Sequence, residues 1–162
     1  MTQLLIATNN RGKIEELQDL LKGSGFDLVS PAQIHLDLDV LEDGLTYAEN
    51  AAKKALAFAQ SSGLISLADD SGLEVDALDG APGLYSARYG SADGRKLSDG
   101  ERRKILLNKL QGTPRPWTAR FKATIAIAIP SGYVPLSGSK GLEYSQSETL
   151  RSPQTLPHIV PI

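Results

Sequence analysis

Leu64-Ile65-Ser66-Leu67-Ala68-Asp69-Asp70-Ser71-Gly72-Leu73 runs an apolar segment straight into two adjacent carboxylates. Leu64 to Ala68 has the length and composition of a buried strand. Asp69 to Gly72 reads as a turn after it. Leu73, Val75 and Ala77 then alternate with Glu74 and Asp76, as in a second strand. A carboxylate at a strand end can hold a divalent cation and orient or deprotonate a water. A plain Asp-Ser-Gly turn gives the same text.

Upstream, Thr46-Tyr47-Ala48-Glu49 matches a capping box and opens an Ala-rich helix to about Ser62, closed by Gly63. Ala48, Ala51, Ala55 and Ala59 form a small-residue stripe that lets a neighbouring element come close. Residues 26–40 carry extended signals, with Leu36, Leu38 and Val40 alternating against Asp37 and Asp39. Further back, Leu4 to Ala7 is a short apolar strand candidate. The polar turn Thr8-Asn9-Asn10-Arg11-Gly12-Lys13 follows, then a helix with Ile14, Leu17, Leu20 and Leu21 at helical spacing. Downstream, residues 79–97 are Gly-rich and loop-like. Ser98-Asp99-Gly100-Glu101 starts another helix to Gly112. From Trp117 to Ile129, Ala119, Phe121, Ala123, Ile125, Ile127 and Ile129 share one strand face. The order is strand, helix, strand, helix, strand, strand, helix, strand. It predicts an α/β domain with a mixed sheet.

The 162 residues suit one domain with one sizeable core. With 41% apolar and 22% charged residues, the chain is an ordinary globular sequence. A formal charge of −2 offers no nucleic-acid or anionic-membrane surface, so any anionic ligand needs local cations. The absence of Cys rules out disulfides, thiolate catalysis and Cys-ligated zinc. His35 and His158 lie far apart in sequence and give little support to a His-based metal site. The first residues are too short an apolar run for a signal peptide and lack a basic leader. No stretch approaches the roughly 20 apolar residues of a membrane span. A cytoplasmic protein is the expectation.

Several segments carry chemistry on their residues alone. A strand, polar turn and helix at 4–21 leave backbone N–H groups at a helix start, where phosphate is favoured, with Lys13 close by. The other reading is a simple connection capped by Asn. Glu42-Asp43-Gly44 can hold a hard cation or be a solvated loop. Lys53 can pair with Glu49 one turn before it, or turn toward a phosphate. Arg88, in Gly80-Ala81-Pro82-Gly83-Leu84-Tyr85-Ser86-Ala87-Arg88-Tyr89, can meet an anion from a loop lining a cleft. Arg120 and Lys122 can extend that cationic lining or simply face solvent.

Together, Ala7 to Lys13, Glu42 to Ala51, Ala68 to Leu73 and Gly80 to Tyr89 resemble the inosine/xanthosine triphosphate pyrophosphatase family, the Ham1-like proteins, over about residues 1–135. The resemblance implies an α/β fold, an elongated mixed β-sheet flanked by helices around a central cleft, and a homodimer. It implies Mg²⁺-dependent cleavage of purine nucleoside triphosphates (ITP, dITP, XTP) between the α and β phosphates, with no nucleic-acid or membrane partner. By the same resemblance Thr8, Asn9, Asn10, Arg11, Gly12 and Lys13 hold triphosphate and sugar. Glu42 and Asp70 hold the metal, Lys53 contacts phosphate, Asp70 activates water and Ser71 touches substrate. The Ser-Ala-Arg-Tyr text at 86–89 favours this branch over the related Maf-like pyrophosphatases.

The family's Gly-Phe-Gly-Tyr-Asp-Pro-like loop and Ser-His-Arg element, which enclose the base, have no match after Val134. His158 is followed by Ile159. Residues 1–136 therefore read as an incomplete pyrophosphatase domain and 137–162 as a Ser/Pro-rich tail. The break predicts an altered end, by frameshift or truncation. It also leaves a second functional reading, a nucleotide-binding protein that has lost the base half of its site.

Overall fold

A computed structural model of the chain describes residues 2–91 and 97–130. The element order is β1 (Thr2–Ile6), α1 (Arg11–Leu20), β2 (Phe26–Val29), α2 (Tyr47–Ser62), β3 (Ile65–Val75), α3 (Asp99–Leu110) and β4 (Ala119–Ala128), with short 3₁₀ helices between them. The four strands form one mixed sheet in the order β2-β1-β3-β4. β1 is parallel to both neighbours, and β3 and β4 are antiparallel.

Strand alternation sends successive side chains to opposite faces, and each face of the sheet finds a helix. Leu5, Ala7, Ala68, Ala126 and Ala128 pack under Ala51, Ala52, Ala55, Phe58 and Ala59 of α2. Leu4, Ile6 and Leu67 pack with Leu17 of α1, flanked by Ile14, Ile125 and Ile127. The small-residue stripe of α2 thus does what its spacing implies from Ala51 onward; Ala48 is exposed. The one-sided face expected of β4 is interrupted. Ile125 and Ile127 reach the α1 side, whereas Phe121 is 73% exposed.

Helix limits follow local chemistry. The Thr46 hydroxyl accepts from Glu49 N at 3.1 Å, and Gly63 closes α2 with φ 70°. The reciprocal half of the α2 box is displaced, because Glu49 Oε2 accepts from Leu45 N instead. At α3 both halves of the Ser98–Glu101 box form.

Two expectations change. Asp69 to Gly72 is no turn, since the two strand segments around it merge into β3. β4 is long enough to pair every residue from Ser66 to Val75, including Asp69↔Ile125 and Asp70↔Thr124. Residues 36–40 are not a strand. Leu36, Leu38 and Val40 lie against the α2 side of the core as an irregular strap. No helix among the described residues is long and apolar enough to cross a membrane. The tail at 137–162 and the altered end expected there lie outside the described residues.

Candidate active site

β1 ends at Ile6, paired with Leu67, while β3 runs on to Val75. Past the carboxyl end of β1 the sheet therefore opens, the usual place for a ligand in an α/β sheet. A cleft of about 450 Å³ lies there, lined by Thr8, Asn9, Asn10 and Lys13, by the strap from Leu38 to Glu42, and by Lys54, Asp69, Asp70, Ser71 and Arg88. That volume falls within the range of small-molecule sites.

Asp69 and Asp70 are adjacent on one strand, so their side chains leave opposite faces. Asp69 follows the parity of Leu67 toward α1 and meets Lys13 Nζ at 3.3 Å. Asp70 follows Ala68 toward α2, and its Oδ2 accepts from Asn50 Nδ2 at 2.9 Å. Both carboxylates are buried. Burial is the main cause that raises the Asp70 pKa. Asn50 works against the rise and the Glu42 charge adds to it. Lys54, on the cleft side of α2, pairs with Glu42 and donates to Asp69 O at 2.9 Å. Burial alone would lower the Lys13 pKa, but Glu16 and Asp69 outweigh it and hold it above the ordinary value. Arg88 Nη2 donates to Glu42 O at 3.0 Å, and its guanidinium lies 5.6 Å from the Tyr85 ring centroid.

Not every residue singled out from the sequence arrives here. Thr8, Asn9, Asn10, Lys13, Glu42, Asp70 and Ser71 line the cleft; Arg11, Gly12 and Lys53 do not. Arg11 is exposed and pairs with Glu15 at 2.9 Å. Lys53 pairs with Asp43 rather than Glu49, outside the cleft, and its neighbour Lys54 is the α2 cation inside. The free N–H groups expected at the start of α1 are largely taken. Asn10 Oδ1 accepts from Gly12 N at 3.0 Å and Lys13 N at 3.4 Å, and Thr8 Oγ1 accepts from Asn10 N at 3.2 Å. Arg120 and Lys122 pair with Glu74 and do not line the cleft. Sequence reading passed over Asn50, although it lies inside the Glu42–Ala51 motif.

Glu42 and Asp70 offer only oxygen donors, the set a hard divalent cation takes. Both line the same cleft, where the Glu42 carboxylate is paired with Lys54 and that of Asp70 accepts from Asn50. No group of three or more His, Cys, Asp or Glu that could hold a metal occurs among the described residues. The residues fit an ion completed by water and ligand oxygens, as Mg²⁺ commonly is.

Residues 4–140 match the Ham1 family model. The "dITP/XTP pyrophosphatase" of Desulforamulus reducens is 50% identical over 133 residues, 82% of this chain and 65% of that protein. The protein of the same name from Geobacter sulfurreducens is 47% identical over the same shares. Among solved structures, the Staphylococcus aureus Ham1 protein superposes with TM-score 0.66 at 38% identity, over 80% of this chain and 64% of that one. The HAM1 protein from Coxiella burnetii gives 0.66 at 35%, over 78% and 63%. The chain thus spans just under two thirds of the length of the curated relatives it matches. With the motifs in order, the sheet in place and residues 4–140 of its 162 matching the family model, the chain belongs to the Ham1 family.

Proposed function

We propose that this chain hydrolyses non-standard purine nucleoside triphosphates, ITP, dITP and XTP, to nucleoside monophosphate and diphosphate, and so clears them from the nucleotide pool. One observation carries the reading. Two buried carboxylates and three cations, Lys13, Lys54 and Arg88, converge on one cleft at the carboxyl end of β1. The names of the relatives at 47–50% identity point the same way. Residues 1–136 are the unit proposed to carry the activity, in a cytoplasmic homodimer.

In this mechanism Lys13 and Lys54 exchange their carboxylate partners for phosphate oxygens. Thr8, Asn9, Asn10 and Ser71 add neutral hydrogen bonds to phosphate and sugar. Asp70 orients a water and takes its proton as the oxygen attacks the α phosphorus. The bond from that phosphorus to the bridging oxygen breaks, and diphosphate leaves. Mg²⁺ held by Glu42 and Asp70 would supply charge neutralisation on the phosphates. Arg11, Gly12 and Lys53 have no contact role in this scheme.

The test is diphosphate release from ITP, XTP and ATP by the full chain. Release from ITP and XTP is expected to exceed release from ATP, and to vanish with chelator and in Asp70→Asn. Nucleotide binding without turnover would instead support a binding protein. Sedimentation checks the dimer.

A further inference from the structure

The side of α2 that faces the sheet is built of Ala51, Ala52, Ala55, Phe58 and Ala59, with one polar exception. Asn50 is 2% exposed. Asn is a poorer helix former than Ala, and a buried carboxamide is costly unless both its ends are bonded. Both ends are. Asn50 Nδ2 donates to Asp70 Oδ2 at 2.9 Å, and Asn50 Oδ1 accepts from Gly44 N at 2.7 Å. Gly44 lies two residues after Glu42 on the strap. A methyl group there would sit 2.7 Å from Asn50 Oδ1 and 2.9 Å from Glu49 Cβ, so the approach needs glycine. The rest of the strap is tied by further polar contacts, among them the ion pairs of Glu42 with Lys54 and of Asp43 with Lys53. Asn9 donates to Leu38 O, and Arg88 to Glu42 O. Among the described residues, only Asn50 hydrogen-bonds both the strap and Asp70.

We propose that Asn50 is a positioning residue that fixes the Asp70 carboxylate and, through Gly44, the strap carrying Glu42, in one mutual arrangement. The inference rests on the hydrolytic reading above. Asn50 does not line the cleft and acts through Asp70 and Gly44. It selects which Asp70 oxygen is engaged and keeps Glu42 from drifting with the irregular strap. A residue that merely filled the helix face would need neither bond.

Two variants divide its two ends. Asn50→Asp keeps an acceptor for Gly44 N and removes the donor to Asp70; Asn50→Leu removes both. For Asn50→Asp, kcat on ITP is expected to fall about 10- to 100-fold, the usual cost of losing a group that orients a ligand or base. KM should stay within about threefold, because the phosphate-holding lysines are untouched. Parental kcat in folded Asn50→Asp would overturn the proposal, as would a loss appearing only in thermal stability.

A second readout needs no turnover. In metal-free protein, chymotrypsin cleavage at Leu41 and Leu45, both exposed, is expected to accelerate in Asn50→Leu and to stay parental in Asn50→Asp. Equal rates in all three proteins would also overturn it. If the parent chain shows no turnover, the hydrolytic reading fails, and the cleavage rates still decide whether Asn50 holds the strap.

Discussion

At Asp70 folding and chemistry pull in opposite directions. Burial and the neighbouring Glu42 charge make its ionised form less comfortable folded than unfolded. The sign follows from linkage. A carboxylate whose folded pKa lies above its unfolded value contributes a penalty that is absent below the unfolded pKa. The penalty grows as pH rises through the folded one. Asp70→Asn should therefore abolish turnover and raise the melting temperature at pH 7 in chelator. That gain should shrink toward zero below about pH 4, near the ordinary Asp value. A variant that melts lower at pH 7 would contradict this. The two adjacent lysines offer a sharper contrast. Neighbours on a helix point about 100° apart, and here Lys54 lines the cleft while Lys53 does not. Lys54→Met should lower kcat/KM by about 10- to 100-fold, the worth of a charge-assisted bond to phosphate, while Lys53→Met stays within about threefold. Steady-state kinetics on ITP decides it. The family resemblance pointed to Lys53, whereas the fold puts Lys54 in the cleft and pairs Lys53 with Asp43 outside it. Asp70, Lys13 and Glu42 stood out in the sequence because each lies in a motif the family resemblance covers, although Asp70 proves to sit within β3 and not in a turn.

Among the elements, β3 shows most clearly what local pattern hides. Asp, Ser and Gly are depleted from strands, so Asp69 to Gly72 reads as a turn. Ten residues of β3 nevertheless pair with β4 without a break. The ladder is a long-range property that no window of β3 contains. Gly72 shows why the strand tolerates the sequence. An added Cβ there would run into Gly83 O, and would lie 2.7 Å from Tyr47 Oη and 2.9 Å from Ser86 Oγ. Ser86 Oγ is itself fixed, donating to Gly83 O at 2.6 Å and accepting from Leu73 N at 2.9 Å. The 3₁₀ helix at Gly83–Arg88 is thus pinned to the outer edge of β3, which aims Arg88 back at the cleft. Gly72→Ala should cost about 1–3 kcal/mol as an overpacked site, read from urea unfolding. A neutral result would mean that the 3₁₀ helix yields without strain. The helices were more legible than the strands because their signals are local. Thr46, Gly63 and Ser98 sit where the caps form.

For the molecule as a whole, the α/β class followed from the alternation of helix and strand patterns. Sheet order and the antiparallel β4 depend on how distant segments pair, and were not legible. The same scale governs how an anionic substrate arrives. A chain of net charge −2 has no long-range attraction for a triphosphate, so binding must rest on contacts inside the cleft. Those cations are partly shielded: the Lys54 side chain is 14% exposed and that of Lys13 30%. Salt screens charges separated by more than the Debye length, about 10 Å at 0.1 M, and acts weakly on partners in direct contact in a half-buried site. Raising KCl from about 0.05 to 0.5 M should therefore change kcat/KM for ITP by less than about threefold. An association steered by a protein-wide field would instead fall steeply over that range. In the same titration the ratio of parent to Lys54→Met should stay nearly constant, because the lost interaction is a contact and not a field. A ratio that collapses toward one at high salt would move Lys54 from the phosphate's direct neighbours to the distant charges, and the cleft would need another cation in its place.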